Sequence, residues 1–112
     1  MIPPVLSRRL VLEEAQLTPD GAGGMVRSWN ALGTHWAEMR FRSGREANVG
    51  TVTTSTNAYR ITVRAASHDA ASRPKPEQRF REGVRIFRIV AVLENNDQGR
   101  YLTCLAEEEA AS

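Results

Sequence analysis

Short runs in which apolar and polar residues alternate recur along most of the chain. The stretch 7–17, SRRLVLEEAQL, places Leu10 and Leu12 on one side and charged residues on the other. MVRSWNALG (25–33) resumes a strand pattern after the turn-forming sequence TPDGAGG. Alternation with a period of two is typical of a β-strand, and a Gly-rich turn between two such runs is typical of a hairpin. The pattern therefore predicts an N-terminal hairpin over residues 7–33.

Two runs in the middle of the chain, 34–42 and 58–65, alternate more clearly. The first places His35, Ala37, Met39 and Phe41 on one face. The second places Tyr59, Ile61 and Val63 inside and Arg60, Thr62 and Arg64 outside. Both runs predict half-buried strands. Trp36 falls among the polar residues, so we expect its indole to cover a sheet edge or to contact a partner.

The last part of the chain predicts two more hairpins. Residues 66–78 contain two prolines, which block a strand ladder and predict a long loop. RFREGVRIFRIVAVLE (79–94) predicts two strands around a tight turn at Glu82-Gly83, the second of them apolar on both faces and therefore central. NNDQG (95–99) predicts a turn, and 100–108 the return strand. The acidic end is expected to fray from about residue 107.

Residues 43–57, SGREANVGTVTTSTN, interrupt this pattern between two predicted strands. Gly44 and Gly50 permit unusual backbone angles, and the Ser, Thr and Asn content favours a long loop, with room for one helical turn near 43–50. No stretch has a sustained 3.6-residue period. We therefore predict one all-β domain over 1–112, a small antiparallel β-barrel or sandwich with two long loops at about 43–57 and 66–78.

Composition agrees with a globular domain made in the cytoplasm. The chain has 112 residues, of which 41% are hydrophobic. Its longest apolar run, IVAVL at 89–93, is too short to cross a bilayer. The N-terminus lacks the apolar core and small-residue cleavage site of a signal peptide. We therefore expect assembly in the cytoplasm and no membrane.

Charge is distributed unevenly along the chain. The net charge is +2, but residues 1–93 carry 14 basic and eight acidic groups, whereas 94–112 carry one basic and five acidic groups. All basic residues but Lys75 are arginines, and five of these arginines fall within 40–64. An ordinary solvated surface accounts for this asymmetry. A basic surface that faces polyphosphate, with an acidic end that contacts a protein neighbour, accounts for it equally well.

The sequence offers no catalytic or metal-binding pattern. His35 lies on an apolar face, which favours a core histidine, and His68 with Asp69 lies in a predicted loop without a positioned nucleophile. Cys104 is the single cysteine, so no internal disulfide exists, and its strand context predicts a buried small hydrophobe. The glutamates at 107–109 favour a solvated tail over a metal site. We therefore predict no enzyme, no metal and no cofactor.

Nucleic-acid binding receives partial support from the residues. The arginines of the middle strands can contact phosphates without base preference. Aromatic residues make up only 6% of the chain, and Phe41 and Tyr59 are in phase with the apolar side. This phase argues against the stacked bases that single-strand binders use.

The order of these features forms a longer pattern. After the N-terminal hairpin come Trp36, Ser43-Gly44-Arg45-Glu46, the Tyr-x-Ile-x-Val-Arg strand at 59–64, Phe87-Arg88-Ile89-Val90-Ala91-Val92, and the final Tyr101-Leu102-Thr103-Cys104. This order, over roughly residues 7–106, resembles the phage head–tail joining family, the head-closure or stopper proteins of tailed phages. The arginine-rich composition and short length resemble the version found in gene transfer agents.

The resemblance implies a structural protein of the particle neck. It implies a ring, of six copies, between portal and adaptor proteins on the head side and a tail terminator or tail tube on the tail side. Packaged double-stranded DNA lies in the channel, and the segment 42–57 faces it and helps to retain it. The implied DNA-channel residues are Arg40, Arg42, Arg45, Asn48, Thr51, Thr53, Thr54 and Arg60. The implied partner contacts are Trp36, Arg79, Arg81, Glu107 and Glu108.

Two alternatives stay open at this point. A stand-alone β-barrel that binds nucleic acid without sequence preference accounts for the basic middle of the chain. A tail terminator ring protein has a similar size and symmetry, although its fold includes helices that the sequence does not predict. A small hydrolase ranks last, because no nucleophile and base form a pair.

Overall fold

A computed structural model describes residues 3–49, 52–66, 70–94 and 99–109, and for 43–49 and 52–56 it describes the backbone alone. Within these ranges the chain forms strands and no helix, so the predicted all-β fold is confirmed. The strands are β1 Arg8–Pro19, β2 Met25–Val49, β3 Val52–Arg64, β4 Arg79–Glu82, β5 Arg85–Glu94 and β6 Tyr101–Glu108. Across the described ranges, no helix is long and apolar enough to cross a membrane.

The strands close into one antiparallel barrel in the order β1-β2-β3-β6-β5-β4. Three hairpins, β1–β2, β2–β3 and β5–β6, make most of the ladder. The turn-forming sequences predict the first and the last of these, whereas a long loop was predicted between β2 and β3. Closure depends on β4, which pairs with β5 on one side and with β1 on the other. The β1–β4 ladder has three residue pairs, from Val11↔Arg81 to Glu13↔Arg79.

The barrel interior holds the apolar positions that alternation predicts. The fully buried large side chains include Leu10, Leu12, Ile61, Val63, Phe80, Phe87, Ile89 and Leu102. Phe41, predicted to point inside, is 60% exposed. It lies next to the bulge that begins the β2–β3 extension and makes an edge contact with the Tyr59 ring at 5.7 Å between centroids. The prediction failed because the barrel interior ends before the alternation does.

The outer wall also contains a buried pair that alternation does not predict. Thr62 was predicted to face outward, yet it is 6% exposed. It lies opposite Thr103, which is 4% exposed and whose hydroxyl has no hydrogen-bond partner among the described residues. Period-two alternation assigns a face but not whether neighbouring side chains cover that face.

Within the predicted loop 43–57, the described residues 43–49 and 52–57 are strand and form neither a loop nor a helical turn. β2 runs without a break from Met25 to Val49 and pairs with β3 up to Val49↔Val52. Residues 45–49 and 52–56 therefore form a two-stranded extension beyond the barrel, which we call the β2–β3 ribbon.

β2 is strongly bent. A strand of 25 residues has a contour length of about 80 Å. The longest dimension of the molecule is 51 Å, so β2 cannot be straight. Register shifts lie opposite Leu12/Glu13 and between Phe41 and Ser43, and such bulges bend a strand and increase its twist.

The remaining connections follow the sequence with small shifts. The loop predicted at 66–78 is present in its described part, and residues 67–69 lie outside the described residues. The tight turn lies at Gly83-Val84, one residue after the predicted position, with Gly83 at φ 60°. Fraying from about residue 107 stays a prediction, and the described part of the acidic end is strand. β6 continues to Glu108, and the Glu109 amide donates a hydrogen bond to the Ile86 carbonyl.

Candidate functional site

Two arginines face each other at the base of the β2–β3 ribbon. Arg40 and Arg60 are directly opposed partners in the β2–β3 ladder, and both are exposed. Like charges directly opposite one another destabilise a strand pair. Arg40 is partly compensated, because its Nε donates a 2.9 Å hydrogen bond to Glu38 Oε1. Arg60 has no such carboxylate among the described residues.

Arg42 adds a third cation to the same place. It is the extra residue of the bulge between Phe41 and Ser43 and is exposed. Arg40, Phe41, Arg42 and Arg60 together line an open groove of about 320 Å³. Three guanidinium groups around an open groove, with one nearby carboxylate, are suited to an anion such as a phosphate.

The other residues assigned to the DNA channel lie along the β2–β3 ribbon. The ladder pairs Arg45 with Thr56, Asn48 with Thr53, and Ala47 with Thr54. Thr51 lies outside the described residues. The structure thus brings Arg40, Arg42 and Arg60 together at the base of the ribbon and distributes Arg45, Asn48, Thr53 and Thr54 toward its end.

Trp36, assigned to a partner contact, is on the outer wall. Its side chain is 56% exposed. It shares an open depression of about 270 Å³ with Arg64 and His35. His35 is held from behind, because its Nε2–H donates a 2.7 Å hydrogen bond to the Ser72 carbonyl and its ring meets Phe80 edge-on. Burial lowers the His35 pKa, which agrees with a neutral, structural histidine.

The acidic end of the chain pairs with the basic strand β5. Arg88 Nη2 lies 3.2 Å from Glu107 Oε1, and Arg85 Nε lies 2.8 Å from Glu108 Oε2. The Tyr59 hydroxyl links the second pair, accepting from Arg85 Nη2 at 3.3 Å and donating to Glu108 Oε1 at 3.4 Å. The Arg85 hydrogen bonds lower the pKa of Glu108. Part of the charge asymmetry seen in the sequence is therefore compensated within the protomer.

Arg79 and Arg81 clamp a single buried carboxylate. Glu13 is 6% exposed; its Oε1 accepts a 2.7 Å hydrogen bond from Arg79 Nε and its Oε2 a 3.0 Å bond from Arg81 Nε. Arg79 also covers the Trp29 ring at 3.9 Å from its centroid, and Arg27 lies over the same ring at 5.3 Å. The guanidinium groups first assigned to partners therefore join β1, β2 and β4 of one protomer.

The Glu13 clamp predicts acid sensitivity. Burial opposes ionisation of Glu13, but the hydrogen bonds from Arg81 and Arg79 outweigh it and lower the pKa. A lowered pKa gives a stabilisation that is complete above the unfolded-chain value of about 4.3 and is lost as the pH falls through the folded-state value. Glu13→Gln should cost about 1–3 kcal/mol of unfolding free energy at pH 7.

Thermal melts of the wild type and Glu13→Gln between pH 7 and pH 3 test this expectation. The two midpoints should converge as the pH falls below about 4. Glu14→Gln is the matched control, because Glu14 is adjacent in β1 and belongs to no such clamp. A difference in melting midpoint between wild type and Glu13→Gln that stays constant down to pH 3 would show that the ionised Glu13 carboxylate is not the cause of the stabilisation.

Comparisons with known proteins decide the family. Residues 1–109 match the family described as phage head completion protein. The chain belongs to the phage head completion protein family. A solved chain from the "Virion of native gene transfer agent (GTA) particle" is 52% identical, with a TM-score of 0.84, and the match covers 98% of this chain and 100% of that chain. No curated protein matches. The resemblance to head-joining proteins and to their gene transfer agent version is thus confirmed.

Membership gives the head completion protein a structural role. The family is described by its part in completing the phage head. Within the described residues, no group of three or more His, Cys, Asp and Glu side chains is placed to hold a metal ion. Burial raises the pKa of the Cys104 thiol to about 12, as for a core residue and not for a nucleophile.

Sequence reasoning missed four residues that organise these surfaces. Glu13 and Trp29 hold β4 against the N-terminal hairpin, and Tyr59 and Arg85 hold the acidic end. Their partners are distant in the chain, as in the Arg79–Glu13 pair, which is separated by 66 residues. One signal was available in the sequence: Glu13 directly follows the apolar run Leu10–Leu12, and a carboxylate that is buried beside such a run requires a cationic partner.

Proposed function

We propose that this head completion protein forms the head-closure ring in the neck of a tailed, gene-transfer-agent-like particle. Six copies join the portal–adaptor complex to the tail and help to retain packaged DNA. The observation that carries the proposal is the nearly full-length likeness to a chain of a gene transfer agent virion, at 52% identity. The protein assembles in the cytoplasm and leaves in the released particle.

The β2–β3 ribbon is the element that we assign to the DNA channel. It extends beyond the barrel, and three cations lie at its base in one open groove. The sequence from Ala47 to Asn57 contains no charged residue, so the cationic groups are confined to the base and to Arg45. In a ring each contact is repeated once per copy, so a weak phosphate contact becomes effective through multivalency.

Partner contacts are assigned to surfaces away from this groove. The exposed indole of Trp36 and the depression beside it provide an aromatic contact on the outer wall. Four other residues assigned to partner contacts take part in ion pairs within the protomer: Arg79, Arg81, Glu107 and Glu108. Each of them can contact a neighbouring protein only if it keeps its ion pair or exchanges it for one with that protein.

A stand-alone nucleic-acid-binding barrel is the second candidate, and the Arg40–Arg60 groove is the observation that favours it. It predicts that the isolated chain binds duplex DNA with an affinity that falls steeply as salt rises. The tail terminator alternative loses ground, because the family match is to head completion. Fluorescence anisotropy with a labelled duplex at several salt concentrations separates the monomeric binder from the ring component.

Deletion of the gene tests the proposal directly. Without the protein, particles should accumulate as heads that lack tails or have lost DNA, seen by electron microscopy and by nuclease sensitivity of their DNA. Complementation by the wild-type gene is the control. Tailed, DNA-filled particles at normal titre in the deletion strain would overturn the neck assignment and leave DNA binding by the free chain as the next hypothesis.

A further inference from the structure

The N-terminal hairpin leaves the barrel as a second two-stranded extension. β1 pairs with β4 only from Val11 to Glu13, so Glu14–Pro19 pairs with Met25–Asn30 of β2 alone. We call this pair of segments the β1–β2 ribbon. Residues 15–28, which include the turn that joins the two segments, are all exposed. An isolated two-stranded hairpin is marginally stable in water, so a ribbon of this length gains from a covering surface.

The polarity of the ribbon is reversed with respect to the barrel. Inside the barrel the inward positions of β1 are Leu10 and Leu12, both fully buried. Beyond the barrel the same side of the ribbon carries Glu14, Gln16 and Thr18 of β1, and the Asn30 amide donates a hydrogen bond to Gln16. Val26, opposite Thr18, is an apolar residue on this side.

The opposite, outward side becomes apolar. Ala15, Leu17 and Pro19 of β1 lie there, opposite Trp29, Arg27 and Met25 of β2. Leu17 is 60% exposed and Met25 is 58% exposed. If the alternation of the barrel continued into the ribbon, the apolar side chains would lie on the inward side. The apolar outer face is therefore suited to a contact with another surface.

The outer face of the ribbon is also cationic and firmly attached. Trp29 is half-buried between the guanidinium groups of Arg27 and Arg79, and Arg79 and Arg81 share Glu13. Three arginines against one carboxylate leave this face with a net positive charge. Because the cation–π stack and the Glu13 clamp connect the ribbon to β4, the apolar face is presented in a fixed direction.

A complementary surface lies on the far side of the barrel. The outer wall of β5 and β6 carries Val90, 39% exposed, and Leu93, 51% exposed. Arg88 pairs with Glu107, Arg85 with Glu108, and Arg73 with Glu94. The described residues 85–94 and 99–109 hold four carboxylates and three arginines, and the additional carboxylate, Glu109, is exposed directly after β6. In the order β1-β2-β3-β6-β5-β4, β6 is diametrically opposite β1, and β5 is opposite β2.

We propose that the outer face of the β1–β2 ribbon of one copy packs on the β5–β6 outer wall of the next copy. The inference rests on the ring of the proposed function and names the subunit contact that would build it. A contact between two different patches on opposite sides of a protomer is head-to-tail, and repetition by rotation closes it into a ring. Leu17 and Met25 cover Val90 and Leu93, and the arginines around Trp29 face the carboxylates at the end of β6, Glu107–Glu109.

Thiol cross-linking in assembled particles tests the contact. Particles are produced with Leu17→Cys and Leu93→Cys in the same chain and treated with a short bismaleimide. Native Cys104 is buried, so each single-cysteine variant should give no cross-link between the two proposed surfaces and serves as a blank. Leu17→Cys with Val84→Cys is the matched control, because Val84 is 94% exposed in the β4–β5 turn and lies about 30 Å from Leu93 along β5.

The double variant should give a ladder of cross-linked species that ends at the ring stoichiometry, whereas the control and the blanks stay monomeric. Only monomer from the double variant, in particles that contain the protein and keep their DNA, would overturn the ribbon contact and leave the neck function intact. A ladder that ends at the dimer would support the contact and overturn the closed ring.

A charge substitution gives a second, independent measurement. Leu17→Asp should lower the yield of DNA-filled particles at least about tenfold, because a carboxylate would be buried in the subunit contact. Thr18→Asp, on the opposite face of the same strand, should leave the yield unchanged. Both variants should melt within about 2 °C of the wild type, since both side chains are exposed. Equal yields from the two variants would overturn the proposal.

Discussion

Ile89→Asp should abolish the cooperative folding of the head completion protein. Ile89 is fully buried in the barrel, where it belongs to the same core cluster as Phe80, Phe87 and Cys104. An aspartate there is an unpaired carboxylate in an apolar interior, which costs several kcal/mol whether it stays charged or takes up a proton. The loss should exceed about 4 kcal/mol, a large part of the roughly 5–15 kcal/mol that stabilises a small domain.

The neighbouring residue provides the matched control for this substitution. Val90 is the bulge residue of β5 and is 39% exposed on the outer wall. Val90→Asp should therefore keep a cooperative thermal transition. Circular dichroism melts of the two purified variants make the comparison. A soluble Ile89→Asp variant with a wild-type midpoint would show that the assigned inward face of β5 is wrong.

Arg42→Glu combined with Arg60→Glu should empty the particles while leaving the fold intact. Both arginines are exposed in the groove at the base of the β2–β3 ribbon, and no carboxylate of the described residues pairs with either. Stability should therefore change by less than about 0.5 kcal/mol. Charge reversal in every copy replaces attraction to DNA phosphate by repulsion, and the yield of DNA-containing particles should fall on the order of tenfold or more.

A variant with the same change of net charge separates position from total charge. Arg9→Glu with Lys75→Glu alters two exposed cations that do not line the groove. Its particles should retain DNA at the wild-type level, as measured by nuclease-protected DNA per particle. Equal DNA loss in both double variants would remove the groove from the proposed channel and point to a general effect of net charge.

The sequence predicted the fold well wherever a strand has one face on the core. Leu10, Leu12, Ile61 and Val63 are buried as alternation requires, and each turn-forming run lies between strands. The pattern failed at 43–49 and 52–57, because these residues form strands that extend beyond the barrel, and their polar sequence resembles that of a loop.

The candidate site was predictable only in part. The concentration of arginine in the middle of the chain indicated a basic surface, and Arg40, Arg42 and Arg60 do meet in one groove. The sequence could not show that Arg85 and Arg88 pair with the acidic end, because those contacts depend on strands that are adjacent only in the closed barrel.

We expect the short ladder between β1 and β4 to form last when the molecule folds. The hairpins join neighbouring segments, whereas the three pairs of β1–β4 bring together residues separated by more than 60 positions, as in Arg79 and Glu13. Closing so long a segment costs more chain entropy than closing a hairpin. We therefore expect the β1–β4 ladder to form after the hairpins and to open before them. Glu13 and its two arginines lie at this ladder and stabilise it. Without the ladder the sheet would stay open, with unpaired edges at β1 and β4.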